Sequence, residues 1–193
     1  QYNAAGKVVL ELFENGELLD FRVLTFNPSE PLLISETQRT PIEEKIPDDM
    51  VLIEAGNYFF SSSNPDNFIP YPVHDVEMDI PSFFIDEHTV TNEEYAAFLN
   101  STGYKPSNTS NYLKHWVGGT HPPGQADSAV VYIDPTDALA YAEWAGKRLP
   151  TEAEWQYAAE KRSDLQGMFG NVWQLTNDIY DNGSYDFIIM KGG

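Results

Sequence analysis

Oxygen-bearing side chains crowd one stretch near the end of the sequence, where Asn177, Asp178, Asp181, Asn182 and Asp186 fall close together. Carboxylate and amide oxygens are the ligands that calcium prefers, so Asn177, Asp178, Asp181 and Asp186 form a candidate calcium site, although their spacing is not that of an EF-hand and an ordinary polar loop is the plainer reading. A second candidate lies upstream. His115, Trp116 and His121 sit beside Gly118-Gly119 and Pro122-Pro123, and an indole with two imidazoles could line a ligand groove. The four histidines, His74, His88, His115 and His121, show neither a His-x-x-x-His spacing nor a glutamate arranged for zinc or iron, and read as structural or exposed. Arg148 with Glu152 or Glu154 could do acid–base work, but so close to a helix start an ion pair fixing the turn is the better expectation. Cysteine is absent from the sequence, which removes thiolate nucleophiles, thiolate metal sites and disulfides. No Ser-His-Asp order, phosphate loop or dinucleotide glycine pattern appears.

These residues need elements to hold them, and three helix starts are legible. Thr91-Asn92-Glu93-Glu94 spells a capping box, with Tyr95, Phe98 and Leu99 on one face. Asp134-Pro135 puts a capping acid before a first-turn proline, Tyr141, Ala142 and Ala145 follow, and Gly146 supplies a stop. Thr151-Glu152-Ala153-Glu154 repeats the box with Trp155, Ala158 and Ala159 inside. Each helix spans only about three turns, so tertiary packing must hold it. Trp155 and Trp173 are expected in the core, since large aromatics bracketed by small residues fill space between layers.

Upstream, the alternation of Val8, Leu10 and Leu12 with Val9, Glu11 and Phe13 predicts a strand. An Asn15-Gly16 turn and the run Leu19, Phe21, Val23 complete a hairpin over Lys7 to Phe26. Residues 27–49 are proline-rich and charged and read as a linker, so a small β unit with its linker (1–47) is expected to precede a main domain (48–193). Within the main domain Gly56, Pro65, Pro70, Pro72 and Pro81 predict short strands and long loops.

Thirty acidic against eleven basic side chains give a net charge of -19. That field repels phosphate backbones and anionic membranes, so nucleic acid is not an expected partner. No apolar run reaches the roughly 20 residues of a membrane span, and no signal-peptide pattern opens the sequence. A chain beginning with Gln rather than Met reads as a processed or excised fragment. The N-x-S/T sequons at Asn100, Asn108 and Asn182 are expected by chance in such a sequence.

Read in order, several blocks resemble the formylglycine-generating enzyme, or sulfatase-modifying factor, family. They are Met50 to Phe59, Pro72 to Val76, Phe84 to Asp86, Val90 to Tyr95, Ala145 to Trp155, Gly170 to Trp173 and Lys191 to Gly193. Ala145-Gly146-Lys147-Arg148-Leu149-Pro150-Thr151-Glu152-Ala153-Glu154-Trp155 is the most specific of them. The resemblance implies an α+β, C-type-lectin-like fold with little regular secondary structure. It also implies a choice among copper-dependent oxidation of a substrate cysteine, non-haem iron chemistry, and non-catalytic surface or assembly roles, because fold does not fix function. The family's copper-binding cysteine pair lies beyond the Lys-Gly-Gly block, at which this sequence stops.

Copper(I) is therefore not expected to bind these residues, and no catalytic residue is assigned. The leading expectation is a non-catalytic binding or assembly module with a protein or glycan partner, located outside the cytoplasm in the periplasm, at the cell surface or in the medium. An oxidase or iron enzyme completed beyond Gly193, and a calcium-dependent carbohydrate-binding module, are the alternatives. The sequence also departs from the family pattern. Thr89 replaces a glutamate, Gln174 an acid and Leu175 a tryptophan, and Glu160 to Leu165 bridge a gap that is long in other members.

Overall fold

The computed structural model describes residues 6–26, 39–43, 45–62, 74–181, 183 and 186–193. Most of the expected linker, Pro65, Pro70, Pro72 and the Asn182 sequon lie outside the described residues. The elements run β1 (Gly6–Glu14), β2 (Glu17–Phe26), β3 (Met50–Ile53), β4 (Gly56–Ser62), β5 (His74–Ile80), β6 (Phe83–Asp86), α1 (Asn92–Thr102), α2 (Pro135–Trp144), α3 (Glu152–Lys161), β7 (Trp173–Asp181) and β8 (Asp186–Gly192). Among the described residues the strands form four two-stranded antiparallel sheets, β1–β2, β3–β6, β4–β5 and β7–β8. The result is the expected α+β fold of short sheets and few helices.

The hairpin forms where the Asn-Gly pair dictates. Asn15 and Gly16 take φ of 53° and 89°, the left-handed pair that matches the twist of a two-residue hairpin. Val9, Leu12, Phe13, Leu18, Leu19 and Val23 on it are exposed. The three helices begin at Thr91, Asp134 and Thr151, each closed by a reciprocal capping box. The box on α2 closes through Asp137, whose carboxylate accepts from Asp134 N at 2.8 Å. α1 ends at Gly103 with φ 64°, a geometry that glycine adopts without strain.

Two apolar cores hold these pieces. The first packs Val51 and Ile53 of β3, Tyr58 and Phe60 of β4 and Ile80 of β5 against Trp155, Tyr157 and Ala158 of α3, with Leu165 and Met168 below. Gly56 lets α3 approach, since a Cβ there would collide with the Tyr157 hydroxyl, which donates to Glu54 O at 3.2 Å. The second packs Tyr95 and Phe98 of α1 against Tyr141 of α2, Leu113 and Val130.

The short bridge between α3 and β7 is pinned at both ends. Arg162 forks onto Asp164 at 2.8 and 2.7 Å and reaches Leu52 O at 3.3 Å, while Gln166 N donates to Glu87 O at 2.8 Å.

Candidate functional site

A cleft of about 1040 Å³ opens where the two cores meet. Leu52 of β3, Phe84 of β6, Val90, Val131, Leu149 and Trp173 give it mainly apolar walls. Its polar groups are largely engaged. Arg148 forks onto Glu154 at 2.7 and 2.6 Å, and Lys147 Nζ meets Asp86 at 2.6 Å. Burial works against the charged form of Glu154, but the guanidinium and the Thr151 backbone outweigh it and hold the carboxyl below its usual range. Glu154 also accepts from Thr151 N at 2.8 Å, so one carboxylate closes the helix cap and anchors the Arg148 turn. The expected ion pair is thus present, and its role is positional.

Gln174 explains one departure from the family pattern. Its Oε1 accepts from Trp155 Nε1 at 3.1 Å, and its Nε2 donates to Gly167 O at 2.7 Å. A carboxylate could do the first and not the second.

The tryptophans part company here. Trp155 is 3% exposed, as expected, whereas Trp173 is 65% exposed. The expectation of a core Trp173 is corrected by its position. It opens β7 opposite Gly192, its ring lies against Gly193, and it lines the cleft, where none of the described residues covers it fully.

His115, Trp116 and His121 do come together, but outside the cleft lining. The Trp116 ring stands 5.7 Å from that of His121 and 6.4 Å from that of His115, and His115 lies 5.4 Å from Tyr132. Trp116 Nε1 donates to Asn92 Oδ1 at 3.1 Å, and Asn92, 1% exposed, donates from Nδ2 to Gln125 O and Ser128 O at 2.8 and 3.1 Å. His121 Nε2 meets Glu93 Oε2 at 3.2 Å, and the Pro122 carbonyl and that carboxylate raise the imidazole's pKa above its ordinary value. The group therefore fastens a loop to the start of α1.

The oxygen-rich stretch is divided. Asp181 and Asp186 face each other across the β7–β8 ladder, and Asp181 Oδ1 accepts from Gly183 N at 2.6 Å. Asn177 and Asp178 lie where the register shifts and turn toward α3 instead. Asn177 N donates to Pro150 O at 2.8 Å, and Asp178 Oδ2 takes Glu152 N at 2.6 Å, adding a cap from outside the helix. Burial raises the Asp178 pKa. Among the described residues no three His, Cys, Asp or Glu side chains gather to hold a metal ion. Of the remaining histidines, His88 lines the cleft with Nδ1 3.0 Å from Thr89 O, and His74 opens β5.

Sequence reasoning missed the cleft itself and Tyr132, which lines it. Tyr132 holds φ 62° with its amide oxygen bonded to Leu113 N at 2.8 Å, and no turn residue marks it.

Short sheets, three capped helices and two cores meeting at a cleft define an α+β protein of the formylglycine-generating-enzyme kind. Residues 36–164 match the sulfatase-modifying factor enzyme 1-like domain, and the chain belongs to that family. It is 30% identical over 196 residues to the formylglycine-generating enzyme of Thermomonospora curvata, covering 76% of this chain and 63% of that protein. It is 36% identical over 155 residues to that of Streptomyces coelicolor, covering 63% and 47%. It is also 37% identical over 120 residues to the serine/threonine-protein kinase pkn1 of Chlamydia caviae, covering 58% of this chain and 19% of that protein. The chain thus spans less than two thirds of the length of these relatives.

The family implies copper, and the residues present do not fit it. Copper(I) selects soft thiolates, and the 193 residues include no cysteine.

Proposed function

We propose that this chain is a binding module whose cleft receives an extended protein segment carrying apolar side chains flanked by basic ones. The observation that carries this reading is the apolar cleft of about 1040 Å³. Its two cations, Lys147 and Arg148, are already paired with carboxylates and so are poorly placed to serve as reagents. Two features favour a basic peptide. The net charge of -19 steers cations toward the surface, and β3–β6, which forms one wall, is a sheet of two strands that an extended chain could join at an edge. That a similar domain occupies 19% of a protein named as a kinase agrees with a module carried in different contexts.

The location follows from the family resemblance, and the domain boundary from the proline-rich, charged stretch ahead of Met50. The module works outside the cytoplasm, and a boundary near Pro47 divides the chain, with Thr40 to Glu43 and Pro47 on its upstream side lending part of the cleft wall. Limited proteolysis should cut first in that linker. Fractionation placing the protein in the cytosol would remove the location.

Selection from a random peptide library is the direct test. Binders should share an aliphatic or aromatic residue beside Lys or Arg, and Trp173→Ala should weaken them at least tenfold. Binders indifferent to Trp173→Ala would remove the cleft as the site. The second reading, an oxidase, is favoured by the similarity to proteins named formylglycine-generating enzyme. Copper-dependent aerobic oxidation of a cysteine-bearing sulfatase peptide by this chain would establish it and displace the binding module.

A further inference from the structure

We infer that the loop of residues 109–121 is an acid-sensitive strap, in which protonation of His115 loosens the Tyr132 wall of the cleft. The consequence for the cleft rests on the binding role proposed above; the strap itself does not.

The strap begins from an unusual histidine. His115 as a residue is half-buried, but both its ring nitrogens are shielded from solvent and neither has a hydrogen-bond partner among the described residues. A neutral imidazole always carries one N–H donor and one bare acceptor, and the described residues satisfy neither. The imidazolium has two donors and a charge, and would be served worse. The environment offers it no relief. The Trp116 and Tyr132 rings pack against it, and the Lys114 ammonium already lies 4.1 Å from the Tyr132 centroid. The Glu93 carboxylate, on the first turn of α1, is engaged with His121 at 3.2 Å. Burial accordingly lowers the His115 pKa.

The backbone around it is strained as well. Asn111, Leu113 and Tyr132 hold φ of 68°, 43° and 62°, a region that leucine and tyrosine rarely visit. Lys114 N to Asn111 O at 3.1 Å, Leu113 N to Tyr132 O at 2.8 Å and Trp116 N to Leu113 O at 2.7 Å restrain them, and Trp116 Nε1 to Asn92 Oδ1 at 3.1 Å ties the stretch to α1. A proton taken from solvent by His115 can be hydrated only if the strap lifts, and lifting relieves the strain that these bonds maintain. Tyr132 lines the cleft, so the lift changes that wall.

The fold carries its own counterweight. Acid strengthens the His121–Glu93 contact at the other end of the strap, so release is confined to the Leu113–Trp116 side.

Amide hydrogen exchange tests this without any ligand. Between pH 7.5 and 5.0, protection of the Leu113 and Trp116 amides, corrected for intrinsic exchange, should fall at least tenfold relative to Tyr95 and Phe98 of α1. His115→Phe, which fills the same space without a titrating group, should keep that protection at both values. If His115→Phe does not fold, His115→Asn takes its place, and the His115 ring resonances of the unaltered protein should titrate together with the loss of protection. Unchanged protection in acid, or a loss that persists in the variants, would overturn the strap. A failure of the binding role would look different: peptide selection would ignore Trp173→Ala while the acid response of Leu113 and Trp116 stayed intact.

Discussion

The two cores differ less in how fully their buried polar groups are paired than in what the unpaired ones can do: Ser62 Oγ, at the end of β4 beside the first core, also has no partner among the described residues, but a hydroxyl takes up no proton near neutral pH. Around α3, Arg148 forks onto Glu154, Lys191 reaches both Glu152 and Gln156, and Gln174 ties Trp155 to Gly167. Around α1 and α2, Asn92 and Asp137 are well bonded, yet the ring nitrogens of His115 have no partner among the described residues and the nearby backbone is strained. The first region loses stability when a partner is removed. The second gains ways to move when a proton is added. A fold with few regular elements can thus be rigid on one wall of its cleft and responsive on the other.

The largest effect should come from emptying the rigid side. Arg148→Met leaves the Glu154 carboxylate buried with its cap but without its cation, and should cost about 3 kcal/mol in urea unfolding. The pH dependence sharpens the point. A carboxyl held below its unfolded value contributes stability that is present above that value and lost as pH falls through the folded one. The acid limb of the stability profile should therefore flatten in Arg148→Met.

Gln174→Glu comes next. It keeps the bond from Trp155 but sets a carboxylate against the Gly167 carbonyl, and should cost about 2 kcal/mol by the same measurement. A neutral result would break the claim that this wall depends on the paired bonds of Gln174.

On the responsive side, Trp116→Phe removes the donor to Asn92 Oδ1 at the centre of a nearly inaccessible group. A loss of about 1–2 kcal/mol is expected. Asp134→Ala, which opens the α2 cap, should cost about 1 kcal/mol and lower helix content in circular dichroism. His121→Gln should have the smallest effect, and one of defined sign. The His121 pKa is raised in the folded protein, so its contribution is complete below the unfolded value and disappears as pH rises through the folded one. The variant should be less stable than the parent at pH 5 and indistinguishable from it at pH 9, by thermal melts at both values.

Much of the fold was legible because it is written locally. A Thr or Asp three residues before an acid, or an Asn-Gly pair between apolar strands, satisfies backbone donors or sets a turn from within a few residues. Trp173 shows where that logic stops. Its bracketing resembled that of Trp155, but one ring is covered by strands from elsewhere in the chain and the other is not. Asp178 shows the same from the other side, since its oxygen is taken by a helix start 26 residues earlier.

By itself the sequence determined the helix starts, the hairpin turn, the α+β class and the family, because each rests on contacts between near neighbours or on residue order. Only the tertiary structure decided that a cleft separates the two cores, that Trp173 faces it, and that the His115 ring nitrogens are shielded with no partner among the described residues. Those properties depend on which distant surfaces meet, and spacing along a chain does not encode the solvent left between them.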